Sequence, residues 1–283
     1  MILIADSGST KTDWRILLPD NRIEQARTDG LNPNYQHSAQ IRQELTDKLL
    51  PQLTAFPQPA QVFFYGAGCS TPERKDKVKA ALAGVFPEAQ IEIEHDLLAA
   101  ARALCGHQPG IACILGTGTN SCLFDGKEIL DYPISLGFWL GDEGSGGYLG
   151  KQLVKEYLNG DLPAHLSEKF ARRYPDDKNR IIDKIYTEPF PNRYLASFSK
   201  FLFDNRKDPY IHQMITDAFQ EFFRRFVQRY PNHQTLPIHI VGSVGFYYAD
   251  LLRRVAKNHG LNLQRILETP IAGLTLFHQE LQG

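Results

Sequence analysis

The chain has 283 residues, 42% of them hydrophobic, which is enough to fill the cores of two ordinary domains. Its 31 basic and 32 acidic residues leave a formal net charge of −1, so no overall field favours nucleic acid or an anionic membrane surface. The longest apolar runs, such as Ile111–Leu115 and Phe138–Leu140, fall far short of the roughly 20 residues that a membrane-spanning helix needs.

Met1 leads directly into the strand-like run Ile2–Asp6, without a charged leader or a small-residue cleavage site, which predicts no secretory signal and a cytoplasmic location. Residues 2–6, 11–18 and 22–29 predict three short strands joined by turns, the first a continuous apolar run suited to a doubly covered central position. The spacing of Ile41, Leu45 and Leu49 predicts a helix over 38–50, Val62–Tyr65 reads as a strand, and Thr71-Pro72 opens a helix over 72–84. Ile91 and Ile93 alternate as in a strand, followed by an Ala-rich helix from Asp96 to Leu104. Strands alternating with helices argue for a mixed sheet covered by helices.

At Ile111 the pattern restarts with an apolar strand, a Gly/Thr turn and a second strand. A gapless alignment of the two beginnings puts Asp6 over Gly116, Gly8 over Gly118, Thr10 over Asn120 and Thr12 over Cys122, as an internal duplication would. Helical periods follow over 145–158, 162–174, 178–186, 192–204 and 210–229, with Pro189 and Pro191 breaking the run. A strand Pro237–Val241, the turn Gly242-Ser243-Val244-Gly245, a helix to about His259 and a last helix from Pro270 complete the chain. With no flexible linker in view, the expected domains are 1–109 and 110–269, the closing helix 270–283 packing back on the first. Cys69, Cys105, Cys113 and Cys122 show no CxxC and no zinc-type spacing, and are read as reduced thiols, three of the four in or beside apolar runs.

The turn Asp6-Ser7-Gly8-Ser9-Thr10-Lys11-Thr12 is dense in hydroxyls and backbone donors and carries one cation. Its small residues let N–H groups approach phosphate oxygens, Lys11 offers a point charge, and Asp6 at the strand end can hold Mg²⁺ through water. The same residues also suit an ordinary hairpin turn. A strand rather than a helix follows Lys11, so this is not the P-loop pattern. Gly116-Thr117-Gly118-Thr119-Asn120 provides a second turn of the same kind, and a pair of them fits the need of phosphoryl transfer for positioning and charge stabilisation. Gly242-Ser243-Val244-Gly245, between strand and helix, is a third place where a nucleotide can lie against backbone; a plain connection reads equally well there. Asp96, after a strand and before a helix, is either an N-cap or a base for a substrate hydroxyl. Asp142 and Glu143 sit among four glycines in Gly141–Gly147, where they can bind vicinal hydroxyls or cap the helix at 145. Asn34, on a loop after the third strand, offers an amide or is simply a turn residue.

Taken together, DSGSTKTDW, GTGTN, the strand-end Asp96, the GDEGS loop and the late VGSVG resemble the N-acetylglucosamine kinase family in order and spacing over essentially the whole chain. The resemblance implies an α/β, duplicated ribonuclease-H-like (actin-like ATPase) fold, two domains around a central cleft, and transfer of phosphate from Mg·ATP to a sugar 6-hydroxyl. It implies that Thr10, Lys11 and Thr117 touch ATP phosphates, that Gly242 and Ser243 lie near the adenosine, that Asn34, Asn120, Gly137 and Asp142 contact the sugar, and that Asp96 is the base. From the composition of the turns, Gly8, Ser9, Thr12, Gly116 and Gly118 join the nucleotide set. The sequence departs from the family at Ser135–Trp139, where Leu136 stands at a position that holds a Trp in another member, which leaves the sugar's identity open; the expected acceptor is N-acetylglucosamine first, with glucosamine or N-acetylmuramic acid as alternatives. The ATPase activators of acyl-CoA reductases share the ATP motifs, but they hold an iron-sulfur cluster through cysteines that are not patterned here. The expected partner is a small-molecule sugar, with a homodimer allowed.

Overall fold

In the computed structural model, which describes residues 1–8 and 11–280, the chain opens with β1 (Ile2–Ser7), β2 (Lys11–Leu17) and β3 (Ile23–Asp29). There follow α1 (Ser38–Glu44), a wide π turn at Leu45–Leu49, α2 (Leu50–Leu53), β4 (Gln61–Gly66), α3 (Pro72–Ala83), β5 (Gln90–His95) and α4 (Asp96–Cys105). The strands form one sheet in the order β3-β2-β1-β4-β5, the first three antiparallel and β1, β4 and β5 parallel. Because side chains alternate across a strand, Leu3 and Ala5 enter one core with Trp14 and Phe64, while Ile2 and Ile4 enter another with Ala99, Ala103 and residues of the closing helix (Ile271–Glu280). With both of its faces buried, β1 has to be apolar throughout, as its sequence is. These elements make one unit, Met1–His107 with Thr269–Gly283.

The second unit, Gln108–Glu268, begins with β6 (Gly110–Leu115), β7 (Thr119–Phe124) and β8 (Ile129–Asp131). Helices α5 (Gly137–Leu140), α6 (Gly146–Asn159), α7 (Ala164–Arg173), α8 (Lys178–Thr187), α9 (Pro191–Ser197), α10 (Ser199–Asp204) and α11 (Pro209–Phe226) precede β9 (Ile238–Val241). The unit closes with α12 (Ser243–Tyr247), α13 (Ala249–Asn258) and β10 (Leu263–Leu267). Its sheet runs β10-β9-β6-β7-β8, again with three antiparallel strands followed by two parallel ones. Read from β8, this is the topology of the first sheet, so the fold is a duplicated α/β one of the actin-like ATPase kind. Leu149 and Leu153 of α6 and Phe219, Phe222 and Phe223 of α11 pack with Leu115 in its core. Among the described residues, no helix is long and apolar enough to cross a membrane.

Several boundaries differ from expectation, for local reasons. The helix at 38–50 widens into a π turn ahead of Pro51, whose ring and missing N–H disrupt the regular ladder. The helix at 192–204 breaks at Phe198, whose buried ring packs against Phe170, Tyr174 and Tyr194. The helix after Gly242 breaks at Tyr248, whose ring meets Phe203 and Phe219 and whose hydroxyl donates to the Ser199 carbonyl at 3.0 Å. The gapless repeat alignment is corrected by the ladders: Ser7 pairs with Thr12 across residues 8–11, whereas Leu115 pairs with Thr119 across residues 116–118. The second turn is one residue shorter, and Thr12 corresponds to Thr119 rather than to Cys122.

Helix α6 lies so close to α9 that a Cβ on Gly150 would overlap the Leu195 carbonyl. Gly150→Ala is expected to lower the unfolding free energy by about 1–3 kcal/mol or more, since backbone has to move. Urea unfolding checks this, and wild-type stability in the variant would contradict the close approach.

Candidate active site

In the first unit, the hairpin register sets Ser7 opposite Thr12 and Asp6 opposite Asp13. The buried Thr12 hydroxyl lies 2.7 Å from the Ser7 hydroxyl and donates to the Asp29 carbonyl at 3.0 Å, while Ser7 Oγ accepts from the Leu31 N–H at 3.1 Å. Thr12, named above for the nucleotide, thus has its side chain engaged inside the sheet. Lys11 Nζ lies 2.7 Å from Asp13 Oδ2, and Arg27 meets the same carboxylate at 2.9 Å. Against the effect of burial, those two cations hold Asp13 below the ordinary carboxylate range, and they leave the Lys11 charge already partnered. The Gly8 N–H donates to the Lys11 carbonyl at 3.0 Å. Ser9 and Thr10 lie outside the described residues.

The carboxyl ends of the parallel strands gather the acids. Burial, then the Asp13 and Asp96 carboxylates, push Asp6 up to about 7, with Lys11 opposing. Burial likewise pushes Asp96 up to about 6, opposed by the Leu97 N–H and its own N–H. The N-cap reading of Asp96 is corrected here. The cap is His95, in extended backbone, whose Nδ1 accepts from the Leu98 N–H at 3.2 Å, and Asp96 is the first residue of α4. Its carboxylate therefore stands at the positive end of a ten-residue helix instead of being consumed by the cap. Burial holds His95 below its usual range, in the neutral form that an accepting nitrogen requires.

Asn34 is exposed, and its N–H donates to Asn32 Oδ1 at 2.9 Å. The loop after β4 approaches both amides: Gly68 has φ 87°, and a Cβ there would lie 2.5 Å from Asn32 Oδ1 and 2.8 Å from Asn34 Nδ2. Burial and then the Asp96 carboxylate push the neighbouring Cys69 thiol up to about 12, so this loop also borders the base candidate. Gly68 and His95 were missed in the sequence. The Gly66-Ala67-Gly68 run that closes an apolar strand is the signal that marks the first of them.

In the second unit, the 116–118 turn is built against α6. The Gly146 and Gly147 N–H groups donate to the carbonyls of Gly116 and Thr117 at 2.8 and 3.0 Å. With those carbonyls engaged, and the Gly116 N–H donating to the Gly118 carbonyl at 3.0 Å, what the turn offers a ligand is the Thr117 and Gly118 N–H donors, which suits an anion. Gly242 has φ 130°, and a Cβ there would overlap the Leu115 carbonyl, so this glycine is needed for β9 to run into α12 beside that turn. Ser243 lines a pocket of about 310 Å³ with Phe203, Tyr247, Tyr248, Arg173 and Lys200.

Asp142 is brought to the same turn. Its Oδ1 accepts from the Thr119 N–H at 3.3 Å, and its Oδ2 lies 3.0 Å from where a Cβ on Gly118 would stand. Burial raises Asp142, with Glu143 adding to the effect and the Thr119 N–H and Lys151 opposing it. The helix cap is again a different residue: Ser145 Oγ accepts from the Tyr148 N–H at 3.1 Å. Asp142 and Leu136 line one pocket. Gly137, with φ 66°, starts α5, which Lys151 Nζ holds through the Phe138 carbonyl at 2.7 Å. Asn120 Oδ1 accepts from the Ser121 N–H at 2.9 Å on β7.

No protein-family model matches the chain, and no curated protein matches it. Among solved structures, it is similar to a candidate N-acetylglucosamine kinase of Porphyromonas gingivalis, with TM-score 0.93 and 42% identity over 100% of both chains. A candidate N-acetylglucosamine kinase of Chromobacterium violaceum gives TM-score 0.73 at 19% identity over 98% of each chain. The ROK hexokinase of Thermus thermophilus gives 0.57 at 13% over 99% of each. At the last two identities the likeness is one of fold alone.

The buried acids make a prediction about stability. Asp6 and Asp96 bind protons more readily folded than unfolded, so between about 3.8 and their folded values of about 7 and 6 stability falls as pH rises. The destabilisation is complete above those values. Asp6→Asn is therefore expected to stabilise the protein at pH 8 by on the order of 1–3 kcal/mol, the gain shrinking toward pH 4. Thermal melts between pH 4 and 8 check this, and a variant less stable than wild type at pH 8 would show that the charged form supports the fold.

Proposed function

The chain belongs to the N-acetylglucosamine kinase family and is a sugar kinase; from that premise we propose that it transfers the γ-phosphate of Mg·ATP to the 6-hydroxyl of N-acetylglucosamine. The observation that carries the chemistry is Asp96, partly buried on the first turn of α4 and held at about 6, a value suited to a general base near neutral pH. In the proposed step the sugar hydroxyl gives its proton to the Asp96 carboxylate as its oxygen bonds to phosphorus, and ADP leaves with the electron pair of the broken bond. Asn34 in the first unit and Asn120, Gly137 and Asp142 in the second are assigned to the sugar.

The donor set suits a nucleotide and its metal. The Thr117 and Gly118 N–H groups are placed to donate to an anion, and the aromatic-lined pocket at Ser243 suits an adenosine. Thr10, Lys11 and Thr117 are assigned to phosphate, for which Lys11 has to exchange Asp13 for the ligand. Among the described residues no group of three or more His, Cys, Asp or Glu side chains is arranged for a metal. Mg²⁺ needs no such cage, because it keeps several waters and leans on substrate phosphates. Asp6, raised by burial and then by neighbouring carboxylates, is the residue that would hold it through water, and the ion's charge would help neutralise the phosphates.

An ADP-release assay across hexoses and amino sugars, glucosamine and N-acetylmuramic acid included, tests the acceptor. Asp96→Asn is expected to fold, to bind Mg·ATP near normally and to transfer phosphate at least about 10²-fold more slowly. Near-wild-type turnover in that variant would remove Asp96 as the base. The wild-type rate is expected to fall as pH drops through about 6, where Asp96 takes up its proton.

A further inference from the structure

We propose that Arg225 is a positioning residue for the sugar site of the second unit, holding Glu143 so that the adjoining backbone turn presents Asp142. The inference rests on the assignment of Asp142 to the sugar. Asp142 has φ 61° and Gly144 φ 81°, so the loop contains a left-handed residue that is not glycine and has to be held from outside. Thr119 supplies part of the hold, its hydroxyl within 3.3 Å of the Asp142 carbonyl and 3.0 Å of the Glu143 carbonyl. The Ser145 N–H adds a bond to the Asp142 carbonyl at 3.0 Å.

Arg225, on α11, supplies the ionic part. Its Nε lies 2.9 Å from Glu143 Oε1, and Glu143 is only 8% exposed. The guanidinium is itself steadied on α11 by Glu221, whose Oε2 lies 3.0 Å from the same Nε and which Arg224 also binds at 2.7 Å. Without Arg225, the largely buried Glu143 loses its ion-pair partner, and its carboxylate gains water by moving toward the pocket that it lines with Asp142, a shift that carries Asp142 with it. The other end of the segment keeps its own anchor, Lys151 on the Phe138 carbonyl. The damage is therefore expected at Asp142 and not throughout the unit.

The test is steady-state kinetics with N-acetylglucosamine and Mg·ATP, with calorimetry of a non-hydrolysable ATP analogue. Arg225→Ala is expected to raise the sugar KM at least about tenfold, change kcat less than about threefold and leave the analogue Kd within about twofold. Arg225→Lys, which keeps the charge and loses the Nε position shared by Glu143 and Glu221, is expected to fall between wild type and Arg225→Ala, and it serves if Arg225→Ala does not fold. Joining Arg225→Gln to Glu143→Gln removes the buried Glu143 charge together with its partner and is expected to recover part of the loss. An unchanged sugar KM in a folded Arg225→Ala, or equal weakening of sugar and nucleotide with a lower Tm, overturns the proposal. Asp142→Asn separates the two levels: if it leaves the sugar KM unchanged, or if wild type does not bind N-acetylglucosamine, the assignment of the sugar site fails and the proposal fails with it.

Discussion

Ser7 and Thr12 meet at 2.7 Å across the first hairpin, and this contact fixes which charges the turn leaves for a ligand. Register in an antiparallel pair is all or nothing, because a slip of one residue turns every side chain to the opposite face. With Ser7 opposite Thr12, Asp13 has to face Asp6, and Lys11 and Arg27 gather on Asp13. Asp6 has no such share of cations, and burial, then the Asp13 and Asp96 carboxylates, raise it to about 7. The sheet thus sorts its acids, one neutralised for structure and two held at unfavourable proton affinities where the parallel strands end. Ligand sites of open α/β sheets lie at those ends for related reasons of geometry.

Duplication has preserved a device as well as a topology. Thr12 and Thr119 occupy matching ladder positions, and each donates its hydroxyl to a backbone carbonyl outside its own hairpin, Asp29 in one unit and Glu143 in the other. In the first unit the hydroxyl partner of Thr12, Ser7, goes on to accept from Leu31, in the segment that leads to Asn34. In the second, Thr119 also bonds the Asp142 backbone and carboxylate. A threonine at the start of the second strand therefore ties down, in each unit, a loop bearing a residue assigned to the sugar. The loops differ entirely in sequence, which is why the equivalence appears only through the pairing.

Much of this was legible in the sequence because the signals were local. The apolar runs of β1 and β6, the glycine-rich turns beside them and the Asp96 helix start all announce themselves within a few residues. What was missed depends on partners distant in the chain. Thr12 reads like its neighbours in a polar turn, yet the Asp29 carbonyl claims it. His95 looks like the end of a strand until its ring is seen to cap α4. Helices break at Phe198 and Tyr248, where buried aromatic packing overrides helical periodicity. The edge strands β8 and β10, three and five residues long, are too short to show a period, and nothing near Arg225 in sequence points to Glu143.

The two raised carboxylates proposed for substrate differ in a way that assigns their roles. Asp142 is fixed from several sides, with a backbone N–H on its carboxylate, a threonine hydroxyl on its carbonyl and Glu143 beside it. A group so held, in a strained backbone conformation, suits orientation of hydroxyls, since it can accept hydrogen bonds without moving. Asp96 is opposed in its rise by backbone N–H groups at the start of a helix, with burial as the cause of its elevated proton affinity. Those N–H groups favour the anion while burial penalises it, and the balance falls close to neutrality, where a base is ionised yet still draws a proton. Substrate binding and proton transfer therefore call for different environments, and each carboxylate stands in the one that suits its assigned task.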